Sequence, residues 1–410
     1  MFGLGKKKTE KIDTNPQKIE ELLTRGVENI FPNKDFLMAK MLRGEKLTLY
    51  LGIDPTGQTL HLGHVIPLLR LAVFQKLGHQ VILLMGDFTA MIGDPTDKTA
   101  TRKKLSRKEV LNNLSEYKKQ ASRFLSFSGK NKALFKFNSE WLDKVSFGDA
   151  LEIASFFTVD QMLKRDMFVR RAEEGKPVYM HEFMYPLMQG YDSVAMDVDG
   201  EIGGNDQTFN MLVGRDLMKS LKNKEKFVIA TKLLTDSSGK KMGKTENNMV
   251  ALDQSPEEMF GRIMSWSDNL IIPGLEIITD IKLSEIESIQ KDLNEGKNPK
   301  DIKTKLAFEI VKMYHGESSA KKAQETFENT FSKGGVPEDV LEVFASSDTL
   351  LVDTLLAEKI ISSKTDFRRL IAEGAITNMD TGEKISDTEI VSTPGIYKIG
   401  KKRFIKIKSK

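Results

Sequence analysis

The sequence predicts an α/β protein built on a parallel sheet, with a helical region after it and a small α+β module at the C-terminus. Three observations carry this. An apolar run, Leu47 to Ile53, leads through a Pro/Gly turn into a second apolar stretch, Val65 to Leu77, which Gly78 closes. Another apolar run, Gln80 to Leu84, follows at once. Strand, helix and strand in that order mark a β–α–β unit, and right-handed crossovers in such units place ligands beyond the strand C-termini. The third observation is a change of character near the end: residues 391–410 carry seven Lys or Arg and no acidic residue.

Taken in order, residues 1–45 read as an N-terminal helical leader, with Ile19, Leu22, Leu23 and Val27 at helical spacing. Residues 46–230 read as the α/β domain, with a helical insertion at about 120–185. Within it, residues 103–220 look mainly helical, apart from a glycine-rich break at 199–207. Residues 231–345 read as a loop followed by polar helices. Residues 346–410 read as a separate module. Ser363 to Asp366 forms a cap signal for a helix with Phe367, Leu370 and Ile371 on one side and Lys364, Arg368 and Arg369 on another. Gly374 stops that helix, and Ile396–Ile399, Gly400 and Phe404–Lys408 read as a hairpin. With Lys401, Lys402 and Arg403 at its turn, this module is a plausible grip on a phosphate backbone.

At 410 residues the chain exceeds a single small core, so more than one domain is expected. The net charge of +4 does not by itself argue for nucleic acid. The absence of cysteine excludes disulfides, thiolate metal sites and cysteine nucleophiles, and fits a reducing cytoplasm. Met1–Lys8 has basic residues but no apolar core behind them, unlike a signal peptide. No apolar run approaches the ~20 residues that span a bilayer; the best candidate is broken by Arg70. A cytoplasmic protein without a membrane segment is the expectation.

The chemistry concentrates in Tyr50-Leu-Gly52-Ile-Asp54-Pro-Thr56-Gly-Gln-Thr-Leu-His61-Leu-Gly63-His64. A strand ends there, and two histidines flank a glycine at the start of an apolar helix. Helix N-terminal N–H groups attract phosphate, and Gly52 lets a flat base approach the backbone. A second loop, Thr235 to Thr245, carries Lys240-Lys241-Met242-Gly243-Lys244. Lysine supplies a mobile point charge, and Gly239 and Gly243 allow the loop to close and reopen. Each motif alone is compatible with a solvated turn. Together, in this order and on either side of a long helical stretch, they resemble the two signature motifs of class I aminoacyl-tRNA synthetases. That resemblance implies a Rossmann-like catalytic domain that holds the ATP phosphates from both sides.

The resemblance narrows at Tyr185-Pro-Leu-Met-Gln189-Gly-Tyr-Asp192, whose Tyr185, Gln189 and Asp192 share a helix face. With Tyr50 they look like the tyrosine pocket of bacterial tyrosyl-tRNA synthetases. The family then implies that Tyr50 and Asp192 bond the phenolic hydroxyl of L-tyrosine. Asp94, Tyr185 and Gln189 would surround the α-ammonium group. Thr56, His61 and His64 would contact the ATP phosphates, with Lys98 and Arg102 on the pyrophosphate side. Lys241, Lys244 and Thr245 would close from the opposite side. Gly204, Asp206 and Gln207 would meet the ribose and the carboxylate end of the adenylate, over a floor of Gly52 and Asp54, with Gly63 also among the ATP-binding residues. Leu51 stands where some relatives carry a cysteine that touches ribose, so that bond cannot form here. ATP is expected as a substrate accompanied by Mg2+, with no protein metal site and no tightly bound cofactor. The C-terminal module resembles a small ribosomal-protein-like RNA-binding domain that would hold tRNA(Tyr), and the family implies a homodimer joined through the insertion. Three alternatives stay open: a non-catalytic RNA-binding protein on the same scaffold, a tryptophanyl-type ligase, and a nucleotidyltransferase of the same superfamily.

Overall fold

A computed structural model describes residues 12–94, 105–163, 166–235, 249–329, 340–346, 348–358, 360–400 and 403–409. The chain divides into two compact units, Met1–Glu317 and Ser318–Lys410.

The first unit is organised around a six-stranded sheet: β1 (Val27–Phe31), β2 (Thr48–Ile53), β3 (Gln80–Met85), β4 (Leu134–Phe137), β5 (Gly200–Gly204) and β6 (Phe227–Thr231). Their spatial order is β1-β6-β5-β2-β3-β4. All neighbours run parallel except β1, which is antiparallel to β6. From β2 the chain winds outward through β3 to β4, and from β5 in the other direction to β6. The winding therefore reverses between β2 and β5, and ligands in such sheets bind beyond the strand ends at that reversal. The α/β reading holds, and the expected β–α–β unit is present as β2, the Leu62–Lys76 helix and β3.

The Leu62–Lys76 helix begins earlier than the apolar run suggested, because His61 caps it. Burial of Leu62, Val65, Ile66, Leu68, Leu69, Leu71 and Phe74 covers most of its circumference, as expected for a helix packed under a sheet. Several boundaries differ from the sequence reading. The first helix, Pro16–Thr24, buries Ile19, Leu22 and Leu23, but Val27 lies in β1. Gly26, at φ +64°, turns the chain between them. Residues 1–45 are thus not a leader apart from the sheet, since β1 is one of its edges. The stretch 103–220 is interrupted by β4, which pairs with β3. Beyond the sheet come the helices Pro256–Met264, Ile271–Ile278, Leu283–Asn294 and Pro299–His315. Arg25 donates to the backbone carbonyls of Leu275, Glu276 and Thr279, tying the second of these helices to the N-terminal one.

The second unit has a four-stranded sheet, β7 (Leu341–Ala345), β8 (Ile376–Asn378), β9 (Gly395–Ile399) and β10 (Arg403–Ser409), in the order β7-β10-β9-β8. Its core gathers Leu351, Leu355, Phe367, Leu370, Ile376, Tyr397, Ile399 and Ile405. The hairpin is β9 against β10, and Ser363 caps the Lys364–Ala372 helix through the Asp366 N–H. A boundary at 345 cuts this sheet, because β7 pairs in parallel with β10.

Candidate active site

The loop between β2 and the Leu62–Lys76 helix is held from outside by three side chains. Asn113 donates to the Pro55 carbonyl at 2.9 Å, Tyr117 to the Gly57 carbonyl at 2.7 Å, and Gln120 accepts from the Leu60 N–H at 2.8 Å. At the helix start, His61 Nδ1 accepts the Gly63 N–H at 3.1 Å, and His64 Nδ1 accepts the His61 N–H at 3.2 Å. The two rings lie 3.9 Å apart between centroids. With Nδ1 used as an acceptor, the proton of each neutral imidazole sits on Nε2. Both Nε2 N–H groups then lie on rings at the positive end of the helix, where an anion such as phosphate is favoured.

Beside this, Gly52 is exposed in the middle of an otherwise buried strand, and a Cβ there would meet only the edge of the Tyr50 ring, at 3.8 Å. A flat group can therefore lie against the strand. The backbone after the second motif returns to the first. Leu62 N–H donates to the Val250 carbonyl at 3.0 Å, Leu252 N–H to the Leu60 carbonyl at 2.9 Å, and His61 bridges Ala251. Residues 236–248, which hold Lys241, Lys244 and Thr245, lie outside the described residues, as do Lys98 and Arg102. The described residues on either side are fixed: β6 ends at Thr231, and Val250 to Leu252 pair with Leu60 to Leu62.

The strand ends and the Met180–Met196 helix build a buried hydrogen-bonded chain. Tyr185 donates to Asp54 Oδ2 at 2.8 Å, and Thr89 to Asp54 Oδ1 at 2.7 Å. Asn138 donates to Thr89 Oγ1 at 3.0 Å and to Asp192 Oδ2 at 3.3 Å, while its own oxygen accepts the Phe88 N–H at 2.9 Å. Trp141 Nε1 donates to Asp192 Oδ1 at 2.8 Å. Burial pushes the Asp192 carboxyl well up, the Trp141 and Asn138 donors oppose that shift, and the charges of Glu201 and Asp54 add to it. Gly86 sits against the start of the chain, where a Cβ would overlap both Asp54 Oδ1 and Thr89 Oγ1.

Tyr50 is fully buried, with its hydroxyl 3.0 Å from Ser193 Oγ and 3.5 Å from the Gln189 carbonyl. Burial, with Glu201 and Asp192 nearby, holds its hydroxyl far above the usual phenol range. Gln189 Nε2 donates to Glu201 Oε1 at 3.0 Å. Asp94 accepts from Gln207 Nε2 at 2.6 Å, and Gln207 Oε1 accepts from Asn210 at 2.9 Å. Asp94, Tyr185 and Gln189 thus each have a different protein partner. Gly204 ends β5, and Asp206 lies in the single helical turn Asn205–Gln207 that follows, beyond the same sheet edge. Sequence reasoning missed Thr89, Asn113, Tyr117, Gln120, Asn138, Trp141, Glu201 and Lys226. All act through partners distant in the chain, and none carries a local motif.

In the second unit the proposed cations are partly neutralised. Lys364 pairs with Asp353 at 2.9 Å, and Arg369 with Asp366 at 2.7 Å and Glu373 at 2.9 Å. Arg403 donates to the Ile360 carbonyl, and Arg368 is exposed. Lys401 and Lys402 lie outside the described residues. Among the described residues no group of three His, Cys, Asp or Glu is placed to hold a metal ion, and no helix is long and apolar enough to cross a membrane.

Residues 42–332 match the family described as tRNA synthetases class I (W and Y). The chain is 42% identical over 388 residues to tyrosine–tRNA ligase 2 of Vibrio vulnificus strain YJ016, covering 94% of this chain and 97% of that one. The chain belongs to the bacterial tyrosyl-tRNA synthetase family. Its similarity to the tyrosine–tRNA ligase of Thermotoga maritima is 39% identity over 397 residues, covering 96% and 98% of the two chains. Among solved structures, a C-terminally truncated mitochondrial tyrosyl-tRNA synthetase of Aspergillus nidulans superposes with a TM-score of 0.65 at 23% identity, covering 77% of this chain and 94% of that one. The last likeness speaks to the fold alone.

Proposed function

We infer that this chain is a tyrosine–tRNA ligase. It activates L-tyrosine with ATP and passes the tyrosyl group to the 3′ end of tRNA(Tyr). In the first step a carboxylate oxygen of tyrosine attacks the α-phosphorus of ATP, and the bond to the bridging oxygen of pyrophosphate breaks. In the second a ribose hydroxyl of the tRNA attacks the adenylate carbonyl, and AMP leaves. Neither step needs a protein nucleophile. The protein positions the reactants and stabilises negative charge as it moves onto the leaving phosphates.

The observation that carries this reading is the pairing of Val250 with Leu62, which brings the chain that follows the second motif onto the capped histidines of the first. His61 and His64 offer Nε2 donors from one side, and Lys241, Lys244 and Thr245 close from the other, with Lys98 and Arg102 joining at the pyrophosphate. Thr56 also faces the phosphates. Gly52, Gly63, Gly204 and Asp206 take the adenosine. Tyr50 and Asp192 take the phenol hydroxyl, one phenol and one carboxylate for a group that both donates and accepts. Asp94, Tyr185 and Gln189 take the ammonium group, and Gln207 the carboxylate end. Mg2+ arrives with the ATP, held by phosphate oxygens.

The chain acts in the cytoplasm as a homodimer. Between residues 147 and 180, Phe147 and Met180 are 82% and 78% exposed, and Leu151, Val159 and Tyr179 are also exposed, apolar surface suited to a second copy. The C-terminal unit holds the tRNA backbone through Lys364, Arg368, Arg369, Lys401, Lys402 and Arg403. The direct test is attachment of labelled tyrosine to tRNA(Tyr) by the purified full chain. Binding of tRNA without charging would favour the non-catalytic reading instead.

A further inference from the structure

Lys226 and Glu201 form an ion pair with almost no solvent exposure, at 0% and 2% for the two side chains. The ammonium group of Lys226 also donates to Ser193 Oγ at 2.8 Å and to the Met211 carbonyl at 3.2 Å, so its three N–H bonds are accounted for. It lies 5.7 Å from the centre of the Tyr50 ring. Space for it is left by Gly214, where a Cβ would stand 2.6 Å from Lys226 Nζ and 2.9 Å from Ser193 Oγ. Buried pairs of this kind are rarely favourable for stability compared with apolar packing, so the position calls for another explanation.

The polarity of the contacts supplies one. An ionised carboxylate only accepts, and Glu201 Oε1 takes the Nε2 hydrogen of Gln189 at 3.0 Å. That fixes which way the Gln189 amide faces, with its NH2 towards Glu201 and its oxygen left for other donors. An ammonium group has three donors and no acceptor, so it needs that oxygen. Lys226 donates to the other carboxylate oxygen, Oε2, and so holds the buried Glu201 carboxylate with Oε1 facing Gln189.

We propose that the buried Lys226–Glu201 pair is a positioning device that holds the Gln189 amide oxygen towards the α-ammonium group of the amino-acid substrate. The proposal rests on the assignment of Gln189 to that ammonium group. Neither charged residue touches the substrate. They act through Gln189, and Lys226 also braces Ser193 beside the Tyr50 hydroxyl.

The test compares binding of tyrosine with binding of 3-(4-hydroxyphenyl)propionate, which keeps the phenol and carboxylate but has no ammonium group. The variants are Gln189→Ala, Glu201→Gln and the double variant Glu201→Gln/Lys226→Met, which removes both charges and so leaves no unpaired ion if the single change fails to fold. In Glu201→Gln or the double variant, affinity for tyrosine should fall about tenfold relative to the propionate, with KM for ATP unchanged. Adding Glu201→Gln to Gln189→Ala should cause no further relative loss. If Gln189→Ala lowers the tyrosine preference while the folded Glu201 variants keep it, the pair is structural and the proposal is overturned. If Gln189→Ala itself leaves the preference intact, the assignment of Gln189 is wrong and the proposal falls with it. Equal losses for both ligands would likewise overturn it.

Discussion

His64 Nδ1 accepts the backbone N–H of His61 at 3.2 Å, so the second histidine of the motif helps to orient the first. His61 in turn caps its own helix through the Gly63 N–H. One ring nitrogen of His61 thus serves the fold, and the proposed function assigns the other to phosphate. These roles can be separated. Asparagine is a good N-cap but is too short to reach where Nε2 reaches. His61→Asn should keep stability within about 0.5 kcal/mol and lower the rate of adenylate formation by ~10²-fold, the scale for a lost donor to developing charge. His61→Ala should lose the same rate and in addition about 1 kcal/mol of stability. Full activity in His61→Asn, measured by pyrophosphate exchange, would remove His61 from the phosphate site.

Gly86 owes its identity to contact and not to backbone angle. Any Cβ would press on Asp54 Oδ1 and Thr89 Oγ1, which are bonded to each other, and Asp54 also anchors Tyr185. Gly86→Ala should destabilise the first unit by about 1–3 kcal/mol, as overpacking does, and weaken tyrosine binding at the same time. Urea denaturation with tyrosine titration checks both. An unchanged midpoint would mean that the contact relaxes freely.

Asn138 is the hinge of the buried chain, with donors to Thr89 and Asp192 and an acceptor for Phe88 N–H. Asn138→Ala leaves that N–H and the Asp192 oxygen less satisfied, at a cost of about 1–3 kcal/mol for each buried group. Tyrosine affinity should drop by at least about tenfold while KM for ATP stays constant. Equal losses for both substrates would contradict the placement of Asp192 at the amino-acid end.

The part of the site that was legible from sequence is the part with local grammar. The histidine motif, its helix and the Tyr185-x-x-x-Gln189-x-x-Asp192 spacing are short-range patterns. The pattern did not reveal how the face divides: Tyr185 and Asp192 join the Asp54–Thr89–Asn138 chain, while Gln189 turns to Glu201. Asn138 and Lys226 reach partners dozens of residues away, and one asparagine or lysine carries no signal of that. β4 is short and half-buried, and β6 is a continuous buried run, so neither shows the alternation that marks a strand. β1 is hidden in the sequence because Val27 continues the helical spacing past Gly26. Likewise β7 follows a polar helical stretch without a break in character, so the sequence sets the C-terminal boundary after it and not before.

His79 gives the fold a pH dependence. It is fully buried, its Nδ1 accepts the Leu47 N–H at 3.2 Å, and burial, with Lys46 nearby and Asp199 opposing, lowers its pKa to about 4. The unfolded chain takes up this proton near pH 6.5, whereas the folded chain does so only near 4. The contribution is therefore complete above about pH 6.5 and is lost as pH falls towards 4, by up to about 3 kcal/mol. His79→Asn keeps an acceptor for Leu47 N–H and should lack that part of the slope. Parallel denaturation curves for the two proteins from pH 7 to 4.5 would refute the assignment.

The two compact units predict separable steps. A chain ending at Glu317 should form tyrosyl-adenylate at close to the full rate and charge tRNA(Tyr) poorly. Loss of adenylate formation on truncation would mean that the second unit is needed for the first to work.

The most direct measurement of the central claim is exchange of labelled pyrophosphate into ATP by the full chain, with tyrosine, phenylalanine or tryptophan supplied in turn. Exchange that requires tyrosine, with phenylalanine and tryptophan at background, is the expected result. Exchange driven by tryptophan, or none with any of the three, would contradict the account.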